Sequence, residues 1–380
     1  MLQHETILMN DRIFTTADAM LQELAQLSLD VPLILRQARS NLSVIDADRL
    51  GRIISVELVG CGDSRQAAFS ALALFEASGC QSCKVPYPRD AGSSDNDDSH
   101  LTIGISASGN TPAVLSALER SKKNGHQTMI VTANNSCRGL ELADHQMVQP
   151  LADKADKVPG LRSYQNSLIG LITIALKLGL INGRLSTEYH SVWQECLDNT
   201  ERAIEATAGS AISQSHAVAN LTMDSDIVFL LGDRSNLPTA QFCAAKRMEA
   251  SGNAALVQDI EEYWHIERFS YTRSVPLVLF RSEHSAQECC KAALTAECLG
   301  HPVITIGEKV NHNIATHSDY NLTVEKPMHP LLMPLLDYIP FSAVTAHEAI
   351  LLDRLPFRAD DHEKMARMKK LIAKKLDDTT

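Results

Sequence analysis

The stretch Leu101-Thr102-Ile103-Gly104-Ile105-Ser106-Ala107-Ser108-Gly109-Asn110-Thr111 decides the reading of this chain. An apolar, strand-like run passes into a loop of small hydroxyl residues and one glycine. Val114, Leu115 and Leu118 then mark an amphipathic helix. A helix start of this kind suits an anion, because its free N–H groups, its macrodipole and the flanking hydroxyls all favour negative charge. Gly109 lets the backbone approach a ligand closely. The loop has neither the lysine of a P-loop nor a G-x-G-x-x-G pattern, so a small phosphorylated metabolite fits better than a nucleotide. The same residues also make an ordinary helix cap, so the loop needs support from the rest of the chain.

Short apolar runs alternate with helical patterns on both sides of this stretch. The expected strands are 53–59, 101–106 and 128–132, with short ones near 84–85 and 147–148. A second block follows at 227–231, 255–257, 276–280 and 303–306, with a short run at 321–324. Runs apolar on both faces and separated by helices predict an α/β fold of parallel sheets covered by helices. The blocks repeat each other. Leu58-Val59-Gly60-Cys61-Gly62-Asp63-Ser64 and Leu230-Leu231-Gly232-Asp233-Arg234-Ser235-Asn236 both run from a strand through a glycine turn into a helix, a domain-sized distance apart. Ligands in such sheets sit at the carboxyl ends of the strands, where these turns and the Ser106–Thr111 loop fall. Residues 163–180 and 198–221 read as connecting helix. Residues 17–40 read as a helical lead-in broken near Pro32, and 363–376 as a basic tail with Met365, Met368, Leu371 and Ile372 on one stripe that packs on the body or on a partner subunit.

The chain has 380 residues and a net charge of −11, which argues against a general nucleic-acid or anionic-membrane binder. No signal peptide is visible at 1–10, and no uninterrupted apolar run has the length of a membrane span, so a cytoplasmic protein is expected. The nine cysteines are odd in number and mostly sit in apolar patterns. The lone Cys80-Gln81-Ser82-Cys83 lacks the second ligand pair of a zinc site, so buried thiols are expected. Asp95, Asp97 and Asp98 lie in a polar stretch whose spacing matches no calcium loop, so a metal site there is not expected.

The second block carries Lys246, Glu249, Glu261, Glu262 and His265. Lys246 and Glu249 share a face if helical. A carboxylate and an imidazole near a phosphate pocket can open a sugar ring and move a proton between neighbouring carbons. Without such a pocket the same residues are a surface ion pair and a structural histidine.

At this point the chain resembles a known family. Ile105-Ser106-Ala107-Ser108-Gly109-Asn110-Thr111 is similar to the phosphate loop of sugar isomerase (SIS) domains, commonly ISQSGET, and Cys61-Gly62-Asp63-Ser64 to their C-G-[ST]-S turn. Leu231–Ala240 with Ala244–Ser251 resembles LGRGxxYPxAxEGALKLKEIS, which opens the second SIS domain in the isomerase half of glucosamine-6-phosphate synthases. Tyr263-Trp264-His265 falls where that family has L-K-H. The resemblance implies two tandem SIS-type, flavodoxin-like domains, dimerised with shared active sites and needing no metal or organic cofactor. The expected division is a lead-in at 1–45, a first SIS domain at 46–185, a connecting helix at 186–222, a second SIS domain at 223–355 and a tail helix at 356–380. Carried over by position, Ser106, Ala107, Ser108, Gly109 and Thr111 would hold the phosphate, and Gly62 and Ser64 would line the sugar pocket. Glu249 would move the C1–C2 proton beside Lys246, and His265, from the same or a neighbouring subunit, would assist ring opening.

Three departures qualify the resemblance. Ala107 replaces the usual glutamine. Val158–Tyr164 replaces a V-A-S-T-K-x-Y-type segment, leaving Arg162 and Ser163 as candidate anion contacts. The family's C-terminal lysine has no clear match; Leu355–Asp361 is a faint echo, with Lys364 and Lys369 unaligned. With so few residues before the expected first strand, a glutaminase domain is not expected. The expectation is a phosphosugar isomerase, or an amino-sugar-phosphate deglycase or deaminase, acting on a ketose or aldose 6-phosphate. The alternative is a regulatory protein that binds a sugar phosphate without turnover.

Overall fold

The most apolar runs become the central strands of two parallel sheets. In the computed structural model the described residues are 7–9, 12–14, 16–93, 98–152, 158–270, 273–282, 284–309 and 314–377. A hairpin of β1 (Ile7–Met9) and β2 (Arg12–Phe14) precedes α1 (Asp18–Ser43) and the short α2 (Ala47–Leu50). The first sheet contains β3 (Ser55–Gly60), β4 (Ser82–Lys84), β5 (His100–Ile105), β6 (Gln127–Thr132) and β7 (His145–Val148). Helices α3 (Asp63–Ala77), α4 (Pro112–Lys123) and α5 (Arg138–Leu142) lie between its strands, and α6 (Leu161–Ile181) follows. Helices α7 (Thr187–Asp198) and α8 (Thr200–Thr222) lead to β8 (Ile227–Gly232), β9 (Ala254–Asp259), β10 (Leu277–Phe280), β11 (Val303–Glu308) and β12 (Tyr320–Val324). Interspersed and following are α9 (Asn236–Ala250), α10 (Ile260–His265), α11 (Ala286–Cys298), α12 (Tyr338–Leu351) and α13 (His362–Asp377).

The strand orders are β4-β3-β5-β6-β7 and β9-β8-β10-β11-β12. All neighbours in both sheets are parallel. The two blocks are therefore tandem flavodoxin-like units of one topology. Gly60 and Gly232 occupy the same place in each. A Cβ on Gly60 would stand 2.8 Å from the backbone of Ser64, and one on Gly232 would stand 2.6 Å from that of Asn236. Both strands turn so tightly into their helices that a side chain has no room.

The lead-in differs from expectation. Helix α1 runs unbroken through Pro32. Proline removes one hydrogen bond, but Val31, Ile34 and Leu35 are buried in the common core, and this packing outweighs the local loss. The helix expected at 198–221 is α8, while the connecting stretch 186–222 as a whole holds two helices meeting at Asn199. The hairpin at 7–14 was not anticipated, because three-residue strands carry almost no periodic signal. Helix α6 also exceeds the sequence expectation, being long and apolar enough to cross a membrane by length and composition. Of its most apolar window, 83% is buried inside the protein, as befits a core helix. On α13, Met368 and Leu371 stay exposed rather than packing on the body of this chain.

The second unit closes around a buried ion pair. Arg247 on α9 donates to Glu348 on α12 at 2.9 Å, and both side chains are fully buried. The guanidinium also donates to the carbonyls of Thr222, Ser225 and Ala254, and the Thr222 hydroxyl donates to Glu348 at 2.5 Å. Removing one partner strands the other charge in an apolar interior. Glu348→Ala should lower unfolding stability by about 3–5 kcal/mol in urea denaturation, and a loss below about 1 kcal/mol would contradict this role.

Candidate active site

Strands β3 and β5 pair in register up to Gly60 opposite Ile105. Chain order places β4 on one side of β3 and β5 on the other, so the crevice of the first sheet opens between these two strand ends. The Gly62 turn and the Ser106–Thr111 loop leave the sheet side by side there.

The loop is built by its own hydroxyls. The Ser106 side chain is buried and lies 2.8 Å from the Thr111 hydroxyl and 3.4 Å from that of Ser108, and it accepts from the Gly109 N–H at 3.1 Å. Thr111 precedes Pro112, the first residue of α4, so its hydroxyl stands at the helix entrance without capping it. Gly109 has φ +66°, and a Cβ there would overlap the Cys137 thiol and press to 2.9 Å from the Thr132 hydroxyl. Gly109→Ala should therefore distort the loop and weaken phosphate-ester binding at least about tenfold, measured by titration calorimetry. Unchanged affinity would remove the loop from the binding site.

Asp63, Lys246 and Glu249 meet at the mouth of this crevice. Gly62 takes φ 55° and has open space where a Cβ would stand, leaving the turn accessible. Asp63 begins α3, where a negative charge suits the helix dipole. The fully buried Lys246 ammonium donates to Asp63 at 2.7 Å and to Glu249 at 2.5 Å. The two carboxylates keep part of their surface open, with side-chain exposures of 25% and 32%. Burial pushes the Glu249 carboxyl up, the Lys246 charge pulls it down, and the Asp63 charge raises it again; the net direction is upward. Burial opposes the Lys246 charge, but its two carboxylate partners hold its pKa above the ordinary lysine value. Glu249 is thus a base whose proton affinity is tuned by one neighbour of each sign.

The pH profile follows in sign. Activity that needs ionised Glu249 should fall on acidification at a pH above the ordinary glutamate range. Asp63→Asn should move that limb to lower pH and Lys246→Met to higher pH. A limb unmoved by both changes, measured in kcat/KM, would show that Glu249 is not the titrating base.

The remaining expected residues distribute unevenly. Ser64 lies half-buried in the first turn of α3, and Ala107 lies half-buried in the loop. Ser163 borders the cluster: a Cβ on Gly160 would overlap the Ser163 hydroxyl and stand 3.7 Å from the Asp63 carboxylate. Arg162 is not an anion clamp in this arrangement. Its Nε and Nη2 donate to Asp30 of α1 at 2.6 and 2.8 Å in a buried fork, and Nη2 also reaches the Ala152 carbonyl. The sequence shows an exposed-looking arginine at a helix start, but its partner is 132 residues upstream. His265 ends α10, is 59% exposed, and pairs with Glu261 at 3.4 Å. Among the described residues no contact joins it to Glu249. Asp98 pairs with Arg52, while Asp95 and Asp97 lie outside the described residues. Lys364 pairs loosely with Asp361 on the exposed tail, and the side chain of Lys369 lies outside the described residues. Asp63 is the residue that sequence reasoning missed. Its signal was an acid in a turn that otherwise carries a hydroxyl.

Residues 223–351 match the family model described as SIS domain. That segment, the second parallel unit, is similar to a SIS domain. It is 23% identical over 347 residues to the glutamine–fructose-6-phosphate aminotransferase (isomerizing) of Idiomarina loihiensis, covering 87% of this chain and 56% of that one. The chain spans about half the length of the curated relatives it matches. In fold it is similar to the C-terminal domain of glucosamine-fructose-6-phosphate aminotransferase from Francisella tularensis, with TM-score 0.80 and 18% identity over 89% of this chain and 97% of that one. It is also similar to glucosamine-6-phosphate deaminase from Thermotoga maritima, with TM-score 0.68 and 19% identity over 89% and 96% of the two chains. These similarities in fold cover both sheets.

Proposed function

We propose that this chain is an enzyme that binds a sugar 6-phosphate in open-chain form and passes a proton between C1 and C2. The observation that carries this reading is the Asp63–Lys246–Glu249 group, which links the Glu249 carboxylate of the second unit to the Gly62 turn of the first. Backbone N–H groups and the hydroxyls of Ser106, Ser108 and Thr111 hold the phosphate dianion, with Gly62, Ser64, Ala107 and Ser163 shaping the rest of the pocket. Glu249 takes the proton from one carbon and returns it to its neighbour. The buried Lys246 ammonium acts from behind, holding the Glu249 carboxylate in place and tuning its proton affinity. The names of the similar proteins, an aminotransferase and a deaminase of 6-phosphosugars, support this class of chemistry.

In the same reading the chain forms a homodimer, and the exposed His265 reaches a neighbouring subunit's pocket to assist ring opening. The exposed Met368 and Leu371 stripe is available to the same interface. The domain limits 1–45, 46–185, 186–222, 223–355 and 356–380 belong to this proposal, as does action in the cytoplasm.

Glu249→Gln should lower turnover about 10²–10⁴-fold while leaving phosphate-ester affinity within a few-fold of wild type. The assay follows by NMR the exchange with solvent deuterium of a C1 proton of fructose 6-phosphate and of the C2 proton of glucosamine 6-phosphate. Wild-type turnover in the variant would overturn the assignment. Saturable binding with no exchange in the wild type would make the protein a sensor instead.

A further inference from the structure

The charge count at the candidate site leaves one carboxylate over. A buried lysine needs one counter-charge, and Glu249, one helical turn along α9, supplies it at 2.5 Å. Asp63 comes from the other unit and adds a second at 2.7 Å. The group therefore carries a net charge of −1, and the uncovered oxygen surface belongs to the two acids, because Lys246 is fully buried. Gly62 leaves open space beside Asp63, so a ligand reaching past the phosphate loop meets this acid surface. Negative charge at the Gly62 turn, whose strand pairs with the one ending in the Ser106–Thr111 loop, disfavours a ligand that is anionic throughout. It favours one with an anion at one end and a cation at the other.

We propose that Asp63 is a specificity-determining residue that selects 6-phosphosugars bearing a protonated amine near C1 or C2 over those bearing only hydroxyls. The proposal rests on the reading of the pocket above and narrows it. The phosphate lies on the Ser106–Thr111 loop, the ammonium donates to the open face of Asp63, and Glu249 stays free to act on the carbon skeleton between them. A helix-start acid placed solely as a partner for Lys246 would show no preference between the two ligand types.

The test uses two inert open-chain probes that differ in one group: 2-amino-2-deoxyglucitol 6-phosphate and glucitol 6-phosphate. Titration calorimetry on the full chain should give the amine at least about tenfold higher affinity, as expected for a hydrogen bond between charged groups. Asp63→Asn keeps an oxygen acceptor for Lys246 and should bring the ratio of the two affinities close to one. Asp63→Ser provides a second variant should the first unfold, which thermal melting detects. Equal affinity of the two probes for the wild type would overturn the selection by Asp63 while leaving the phosphosugar reading intact, and so would a preference that survives either folded variant. If neither probe binds the wild type, the pocket reading itself fails.

Discussion

A single buried ammonium ties the two sheets of this protein into one site. Lys246 is fully buried, and charged only because Asp63 and Glu249 stand beside it. Desolvating an ammonium is costly, and the cost is offset only when its partners hold tight geometry. Helices α3 and α9 must therefore stay in register for the charge to remain compensated. That requirement sets the carboxylate of one unit at the strand ends of the other. An aromatic cluster of Tyr164, Phe242 and Tyr338, with ring centroids 4.0–5.4 Å apart, holds α6, α9 and α12 together behind it.

The duplicated topology explains why the ammonium reaches so far. Each sheet places a glycine where its first central strand turns into a helix, and each turn points the helix start toward the crevice. In the first unit that crevice is lined by hydroxyls and backbone donors. In the second unit the corresponding helix supplies side chains from its far end. The two halves share one fold, and under the proposed function they divide the work, with anion binding on one side and proton transfer on the other.

Much of this was legible in the sequence, for identifiable reasons. β5, β6, β8 and β10 are buried on both faces, so their apolar runs are unbroken and easily read. The hydroxyl loop is local, since Ser106, Ser108 and Thr111 meet within six residues. Features that depend on distant partners were not legible. Asp63 lies 183 residues from Lys246 in the chain, and no local pattern announces that contact. Arg162 read as an anion clamp because Asp30 was invisible to a local reading. Pro32 read as a break because the packing that holds α1 straight comes from elsewhere in the core. Lys246 and Glu249 were found as a pair because three-residue spacing on a helix is local, but the counter-ion that tunes them was not.

The most direct test of the central claim is a crystal structure of the protein soaked with glucosamine 6-phosphate. The account predicts the phosphate on the Ser106–Thr111 loop and a Glu249 carboxylate oxygen about 3–3.5 Å from C1 or C2, the reach of proton transfer. A phosphate bound elsewhere, or a Glu249 carboxylate more than about 10 Å from the sugar in every subunit pairing, would contradict it.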